Sequence, residues 1–165
     1  MNSNSYSQRL TRLKKNKRIC KLLYLLYTIL PIVMFICYPV MVITKAFMGF
    51  DTDFWLIVTI PAATLLLITV IRKAVNRQRP YEKYATPSLF GRDGKGQSFP
   101  SRHTASAYII AMSGFLLSPI LAAVLLIVAT TIGITRILAG VHFISDVVAG
   151  MLISICIGTI FFIII

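Results

Sequence analysis

Four stretches without a charged residue constrain the fold of this chain more than any other feature. They cover residues 22–44, 54–71, 104–135 and 147–165. The first, second and last each match one membrane-spanning helix, which needs about 20 predominantly apolar residues. A mean hydropathy of +0.81 is too high for a soluble globule. We therefore predict an all-α protein, a polytopic membrane helical bundle.

The third stretch is too long for one span. As a continuous helix, its roughly 32 residues would extend about 48 Å, against a hydrocarbon core of about 30 Å. Gly114 and the sequence Leu117-Ser118-Pro119 interrupt it near the middle. A helical hairpin that turns there returns the chain to the side from which it came. We therefore predict five spans, at approximately 22–44, 54–72, 103–117, 119–138 and 146–165.

Residues 1–21 are strongly basic, in a chain with a formal net charge of +12. A cleaved signal peptide is one alternative, but the apolar stretch that follows is too long and lacks a small-x-small cleavage pattern. We predict instead a juxtamembrane anchor that touches anionic headgroups, joined to a single membrane-embedded domain at 22–165. Nucleic-acid binding is not expected, because the cluster lacks a base-stacking aromatic pattern.

Both histidines of the chain lie in short polar clusters at predicted span ends. In the last cluster, His142 and Asp146 are four residues apart, so they share a face if the final helix begins early. A carboxylate against one imidazole nitrogen fixes the tautomer and leaves the other nitrogen free to attack. Gly140 is expected to end the preceding helix, and Ser145 or Asp146 to cap the last one. The alternative is a capping aspartate beside an interfacial histidine.

The middle cluster predicts a helix start that can bind an anion. Ser101 follows Pro100 as a candidate N-cap, and Arg102 and His103 open an apolar run. Backbone amides at a helix N-terminus bind anions, and Arg102 adds positive charge. Judged alone, an ordinary junction between a loop and a helix is the simpler explanation of this segment.

The first cluster contains Arg72 and Arg79, which are seven residues apart and share one face of a helix. Lys73 and Arg77 form a neighbouring ridge, and Pro80 is expected to mark the end of this helix. Judged alone, the cluster is a positive flank at the edge of the membrane. Five spans, however, place all three clusters on one face of the membrane.

Together the three clusters resemble the type 2 phosphatidic acid phosphatase family, which includes the vanadium haloperoxidases. The family pattern is a basic residue, six residues and Arg-Pro, then Pro-Ser-Gly-His, then Ser-Arg, five residues, His, three residues and Asp. The matching segments here are Arg72 to Arg79-Pro80, Pro100-Ser101-Arg102-His103, and Thr135-Arg136 to His142 and Asp146. Three positions depart from the pattern: Arg72 replaces a lysine, Arg102 a glycine and Thr135 a serine. Arg102 adds a charge that is expected to change the leaving-group preference, and Lys73 could serve in place of Arg72.

The resemblance implies a role for each matching residue. His142 attacks phosphorus, Asp146 holds its imidazole, and His103 protonates the departing alkoxide and later activates water. The phosphoryl oxygens are held by the remaining polar residues of the motifs: Arg72 or Lys73, Arg79, Ser101, Arg102 and Arg136. Guanidinium groups match phosphate oxygens bidentately, and phosphoryl transfer depends on such neutralisation of charge. No cofactor is expected, and the sequence offers no acidic cluster for magnesium.

The implied function is a multi-pass cell-membrane phosphatase acting on a lipid phosphate monoester or diphosphate. Phosphatidic acid, phosphatidylglycerol phosphate and undecaprenyl diphosphate are all compatible substrates. Vanadate-dependent halide oxidation is disfavoured because those relatives are soluble. The alternative function is a non-enzymatic basic membrane protein that binds anionic lipids, which predicts no role for His103 and His142 beyond their charge.

The side of the membrane on which the site lies stays open. Two spans separate the basic N-terminus from the site, so both are expected on one side, and the positive-inside rule places that side in the cytoplasm. Members of the family more often face outward, usually with six spans. The sequence gives no indication of the oligomeric state.

Overall fold

The computed structural model describes residues 3–91 and 94–164, so Ile165, the last residue of the predicted final span, lies outside the described residues. The described chain is helical, with α1 at Ser3–Lys15, α2 at Lys17–Met48, α3 at Thr52–Val75, α4 at Pro80–Lys83, α5 at Arg102–Ser113, α6 at Pro119–Leu138 and α7 at Ile144–Thr159. A 3₁₀ turn at Gly114–Leu116 follows α5, and a π-helical segment at Ile160–Ile164 extends α7.

The membrane bundle predicted from the apolar stretches is confirmed. Within the described residues, four helices are long and apolar enough to cross a bilayer: α2, α3, α6 and the extended α7. The first predicted span, 22–44, lies within the longer α2, because its charged flanks stay helical. The Asn16 side chain caps α2 by accepting from the Ile19 amide at 3.1 Å. Near the other end, buried Lys45 pairs with Asp53 at 2.9 Å.

The third apolar stretch is a hairpin, as its length predicts. Helix α5 and the 3₁₀ turn lead to Ser118, an extended residue, and Pro119 begins α6. Gly114 permits the tight turn, since a Cβ there would lie 3.0 Å from the Cα of Ala122. With 12 residues, α5 is about 18 Å long and shorter than a full span. It packs against α3, α6 and α7, which makes it the central helix of the bundle.

Small residues bring α7 against α5. Gly150, Ser154 and Gly158 recur every fourth residue, and all three are buried. A Cβ on Gly150 would lie 2.8 Å from the carbonyl oxygen of Ser101, so no larger side chain fits there. The Ser154 hydroxyl donates to the carbonyl oxygen of Ala105 at 2.8 Å. This small-xxx-small ridge allows the close backbone approach that is typical of membrane helices.

Helix ends near the polar clusters differ in part from prediction. Helix α3 stops at Val75 and Asn76 adopts a left-handed conformation, so the prediction of a helix continuing to Pro80 is wrong; Pro80 instead begins α4. Gly140 has a φ of +74° just after α6, which confirms its predicted role in ending that helix. Neither Ser145 nor Asp146 is the N-cap of α7, because Phe143 holds that position and the Asp146 side chain reaches back to it.

Candidate active site

The three polar clusters converge on one pocket at one end of the bundle. It is lined by Arg72, Arg79, Arg102, His103, Arg136, Val141 and His142. These residues come from the end of α3, the loop after it, the start of α5, the end of α6 and the loop between α6 and α7. The backbone N–H of Ser101 donates to the carbonyl oxygen of Asp146 at 2.8 Å, which ties the starts of α5 and α7 together.

His142 is backed by a carboxylate and a hydroxyl. Its Nδ1 atom lies 3.6 Å from Oδ2 of Asp146 and 3.4 Å from Oγ of Ser98. Ser98 Oγ donates to the same Asp146 oxygen at 2.6 Å. The distance from Nδ1 to the carboxylate is longer than a good hydrogen bond, as catalytic pairs often are before the substrate binds. With Nδ1 facing this carboxylate, a proton is favoured on Nδ1, and Nε2 keeps its lone pair for attack.

Asp146 is held on both carboxylate oxygens. Its side chain is 0% exposed, and Arg77 Nη1 donates to Oδ1 at 2.8 Å. The backbone N–H of Phe143 donates to Oδ2 at 2.9 Å. The Arg77 guanidinium also stacks over the Phe143 ring at 4.4 Å from the centroid. Because each oxygen has a fixed donor, the carboxylate has little freedom to turn away from His142.

The buried position of His142 favours its neutral form. Burial lowers the pKa of His142 from its ordinary value of 6.5, and the nearby cations Arg79 and Arg72 act in the same direction. The Asp146 carboxylate opposes the shift without overcoming it. A neutral imidazole is the form that can act as a nucleophile, so the environment supplies the required protonation state.

Backbone carbonyl groups accept hydrogen bonds from three of the four arginines that line the pocket. Arg72 Nη1 donates to the carbonyl oxygen of Pro100 at 2.9 Å, and Arg79 Nε to that of Gly96 at 3.1 Å. Arg136 Nη2 donates to the carbonyl oxygen of Tyr27 at 3.1 Å, with its guanidinium 3.9 Å from the centroid of the same Tyr27 ring. Such anchoring places positive charge before any anion arrives, which is the condition for electrostatic preorganisation.

Arg102 and His103 stand where the pocket meets an apolar groove. The groove has a volume of about 370 Å³ and is lined by residues of α2, α3, α5 and α6. Its walls are mostly apolar and include Pro31, Met34, Phe35, Leu65, Ala107, Ile110 and Ile132. Both Arg102 and His103 line the groove as well as the pocket. A ligand with a charged end and a hydrocarbon chain can therefore occupy both at once.

Two predicted phosphate-binding residues are not brought to the pocket wall. Lys73 is exposed, because the helical step from Arg72 turns it outward. Ser101 holds the N-cap position of α5, but it is fully buried and its Oγ accepts from Thr104 Oγ1 at 2.9 Å. Arg72, by contrast, lines the pocket and is 7% exposed.

Two residues of the site carry roles that the sequence did not indicate. Ser98 appears in the sequence as a small loop residue, yet its hydroxyl contacts both His142 and Asp146. Arg77 pairs with Asp146 across 69 residues of sequence, instead of forming a helix ridge with Lys73. Neither role has a local signal, because both contacts depend on how the loop after α3 folds back.

Metal ligands are not grouped in the described structure. Among residues 3–91 and 94–164, no set of three or more His, Cys, Asp and Glu side chains is close enough to hold a metal ion. The charges that face the pocket are instead guanidinium groups.

Comparison with known proteins identifies the class. The model of the PAP2 superfamily matches residues 53–165, well over half of the sequence. The chain belongs to the PAP2 superfamily, in agreement with the motif resemblance. The matched region contains each of the three polar clusters and excludes α1 and α2.

Several individual proteins are similar to this chain. Lipid A 1-phosphatase of Rhizobium etli is 31% identical over 90 residues, which are 52% of this chain and 39% of the relative. Lipid A 1-phosphatase of Rhizobium johnstonii is also 31% identical over 90 residues, covering 52% and 37%. The chain therefore spans about two fifths of the length of these curated relatives.

Two solved structures share the fold. The crystal structure of Aquifex aeolicus LpxE superimposes with a TM-score of 0.67 at 28% identity and covers 84% of each chain. The first transmembrane PAP2 type phosphatidylglycerolphosphate phosphatase from Bacillus subtilis gives a TM-score of 0.72 at 18% identity, covering 95% of this chain and 82% of its own. The second likeness shows the fold alone.

Proposed function

We propose that this protein is a multi-pass cell-membrane phosphatase that hydrolyses a lipid phosphate monoester or diphosphate without a metal ion. The observation that carries the proposal is the position of His142. Its imidazole has Asp146 behind it at 3.6 Å and shares one pocket with arginines and His103. The apolar groove that begins at His103 suits the hydrocarbon part of a lipid.

The first half of the reaction transfers the phosphoryl group to the enzyme. Nε2 of His142 attacks phosphorus, the bond from phosphorus to the leaving oxygen breaks, and His103 gives its proton to that oxygen. His103 is suited to this role because it stands between pocket and groove, where the oxygen joining phosphate to lipid would lie. The pocket arginines neutralise charge on the equatorial oxygens as the bond breaks.

The second half returns the enzyme to its starting state. Neutral His103 takes a proton from water as the water oxygen attacks phosphorus, and the bond from phosphorus to Nε2 breaks. Inorganic phosphate leaves, His103 is protonated again, and His142 is neutral. No step requires a metal ion, because guanidinium groups supply the positive charge that magnesium supplies in many phosphoryl transfers.

Trapping of the intermediate tests this proposal. Purified protein in detergent is mixed with a lipid phosphate labelled in its phosphoryl group, quenched in alkali, and separated by electrophoresis. We expect an alkali-stable, acid-labile phosphoenzyme in the wild type and none in His142→Ala. We also expect turnover that resists chelators and is inhibited by vanadate, which mimics five-coordinate phosphorus.

The alternative function, a non-enzymatic protein that binds anionic lipids, predicts a different result. If the protein only binds lipids, no lipid phosphate or diphosphate should release phosphate. The wild type, His142→Ala and His103→Ala should then bind lipid equally. Unchanged phosphate release in His142→Ala would instead exclude the phosphohistidine mechanism.

A further inference from the structure

Helix α1 lies against the segment that carries His142, although it is outside the region matched by the family model. Tyr6 is 0% exposed, and its hydroxyl donates to the carbonyl oxygen of Gly140 at 3.0 Å. One turn later, Arg9 Nη2 donates to the carbonyl oxygen of Ile137 at 2.8 Å. These contacts join the N-terminal helix to residues 137–140. The two bonds connect residues that are 134 and 128 positions apart in the sequence.

Both contacts fall where the backbone before His142 needs support. The last carbonyl groups of a helix lack partners within it, and a cation there also complements the helix dipole. The carbonyl oxygen of Ile137, in the last turn of α6, accepts from the Gly140 N–H at 3.1 Å, and Arg9 adds a second, charged donor to the same oxygen. Gly140 follows with a φ of +74°, and a Cβ on it would lie 2.6 Å from the Tyr6 hydroxyl oxygen. Tyr6 therefore fits closely against the turn that leads to His142.

Aromatic packing extends this support to the other side of His142. The Tyr6 ring lies 5.1 Å from the ring of Tyr84, which meets Phe143 edge-on at 6.2 Å. Burial raises the pKa of the Tyr6 phenol to about 12, so it remains a donor throughout the working pH range. Gly140 before the nucleophile and Phe143 after it are thus both linked to α1.

We propose that α1 is a positioning clasp, in which Tyr6 and Arg9 hold residues 137–143 so that His142 faces the phosphate pocket. This proposal rests on the proposed phosphatase function. It assigns α1 a task beyond the headgroup anchoring that its basic composition suggests. Because none of residues 137–143 lines the groove, whose residue from α6 is Ile132, we expect loss of the clasp to lower kcat and leave KM nearly unchanged.

A matched pair of tyrosine variants separates positioning from stability. Tyr6→Phe removes one hydroxyl bond to a backbone carbonyl, and Tyr38→Phe removes a similar bond, to Ile57 at 3.1 Å. Ile57 lies 15 positions before Arg72, which is about 22 Å along α3. We expect similar losses of Tm, a fall of about fivefold in kcat and in the single-turnover rate of phosphoenzyme formation for Tyr6→Phe, and less than twofold for Tyr38→Phe. Equal kcat in the two variants would overturn the clasp.

A second pair separates the clasp from charge. Arg9→Met and Arg12→Met each remove one positive charge from α1, but Arg12 is exposed. The clasp predicts a fall of about fivefold in kcat for Arg9→Met alone, whereas headgroup anchoring predicts equal effects. If the wild type hydrolyses no lipid phosphate or diphosphate, the proposed function fails. If the wild type is active and Arg9→Met matches Arg12→Met, the clasp alone fails.

Discussion

Asp146→Asn is the substitution for which the structure gives the clearest quantitative expectation. The carboxylate accepts from Arg77 on Oδ1 at 2.8 Å, and from Ser98 at 2.6 Å and the Phe143 amide at 2.9 Å on Oδ2. An asparagine must place an NH₂ group at one of these two positions. At Oδ1 it faces a guanidinium, and at Oδ2 it faces a backbone N–H. Each orientation therefore sets a donor against a donor.

The expected cost follows from these contacts. A hydrogen bond to a charged group contributes about 1.5–3 kcal/mol, and the buried amide leaves at least one donor without an acceptor. We expect the free energy of unfolding to fall by about 2–4 kcal/mol. Catalysis should fall further, because a neutral side chain no longer favours the proton on Nδ1 of His142 or stabilises its developing charge. The comparable change in serine proteases lowers kcat by about 10⁴-fold, and we expect about 10³- to 10⁴-fold here.

The assay measures phosphate release from a lipid phosphate in detergent, with Tm measured on the same samples. Asp53→Asn is the matched control, because it makes the same chemical change and breaks an ion pair with buried Lys45. Asp53 lies in the first turn of α3, at the opposite end of that helix from Arg72. We expect Asp53→Asn to lower Tm and leave kcat within about twofold. A kcat for Asp146→Asn within tenfold of the wild type would refute the assigned role.

Three further predictions concern the acid, the nucleophile and the packing, and a fourth concerns topology. His103→Ala should lower kcat by about 10²- to 10⁴-fold, and the loss should shrink for a substrate with a good leaving group; an equal loss for both substrates would contradict the general-acid role. In the pH profile of kcat/KM, the midpoint of the acidic limb should lie below pH 6.5, because the lowered pKa of His142 keeps the proposed nucleophile neutral to lower pH. A midpoint above pH 6.5 would contradict this. Gly150→Leu should lower the free energy of unfolding by about 3 kcal/mol or more, since the added side chain meets backbone of α5; an unchanged Tm would place the ridge against lipid. In a cysteine-free background, Gln8→Cys and Gly94→Cys should be labelled alike by an impermeant thiol reagent on whole cells, because the N-terminus and the site lie on one side of the membrane. Labelling of one and not the other would contradict the contact between α1 and the site.

Sequence patterns predicted those parts of the molecule that depend on local spacing. The apolar stretches predicted the spans and the hairpin, because the thickness of the bilayer sets how many apolar residues a spanning helix needs. The separation of His142 and Asp146 predicted their contact, although the expected reason was a shared helix face and in the structure His142 lies in the loop before α7. Gly140 gave a helix end, because a left-handed residue there favours glycine.

Features that depend on long-range contacts were not predictable in this way. The loop after α3 was interpreted as a continued helix, because Arg72 and Arg79 fit helical periodicity. In the structure Asn76 ends that helix, and the extended segment lets Arg77 reach Asp146. The packing of α1 on Gly140 likewise has no sequence signal, since a basic N-terminus before a span is explained by the positive-inside rule alone. Both unpredicted features concern the residues that hold His142 and Asp146 in place, and not the groups that line the pocket.

The distribution of acidic residues in the described structure bears on the proposed binding of a phosphate in this pocket. The chain has five Asp and Glu residues, of which Asp51, Asp53, Glu82 and Asp146 lie within the described structure. Asp51 and Asp53 pair with Lys45, Glu82 accepts from the backbone amides of Arg79 and Gly96, and Asp146 pairs with Arg77 behind His142. Arg72, Arg79 and Arg136 each donate to a neutral carbonyl oxygen, which orients a guanidinium without cancelling its charge. A carboxylate at those positions would hold the arginines equally well but would compete with the substrate for them. Orientation by carbonyl groups therefore retains the charge of these arginines. The Asp146 carboxylate approaches His142 from the side away from the pocket, where in the proposed mechanism its charge stabilises the imidazolium instead of repelling the phosphate.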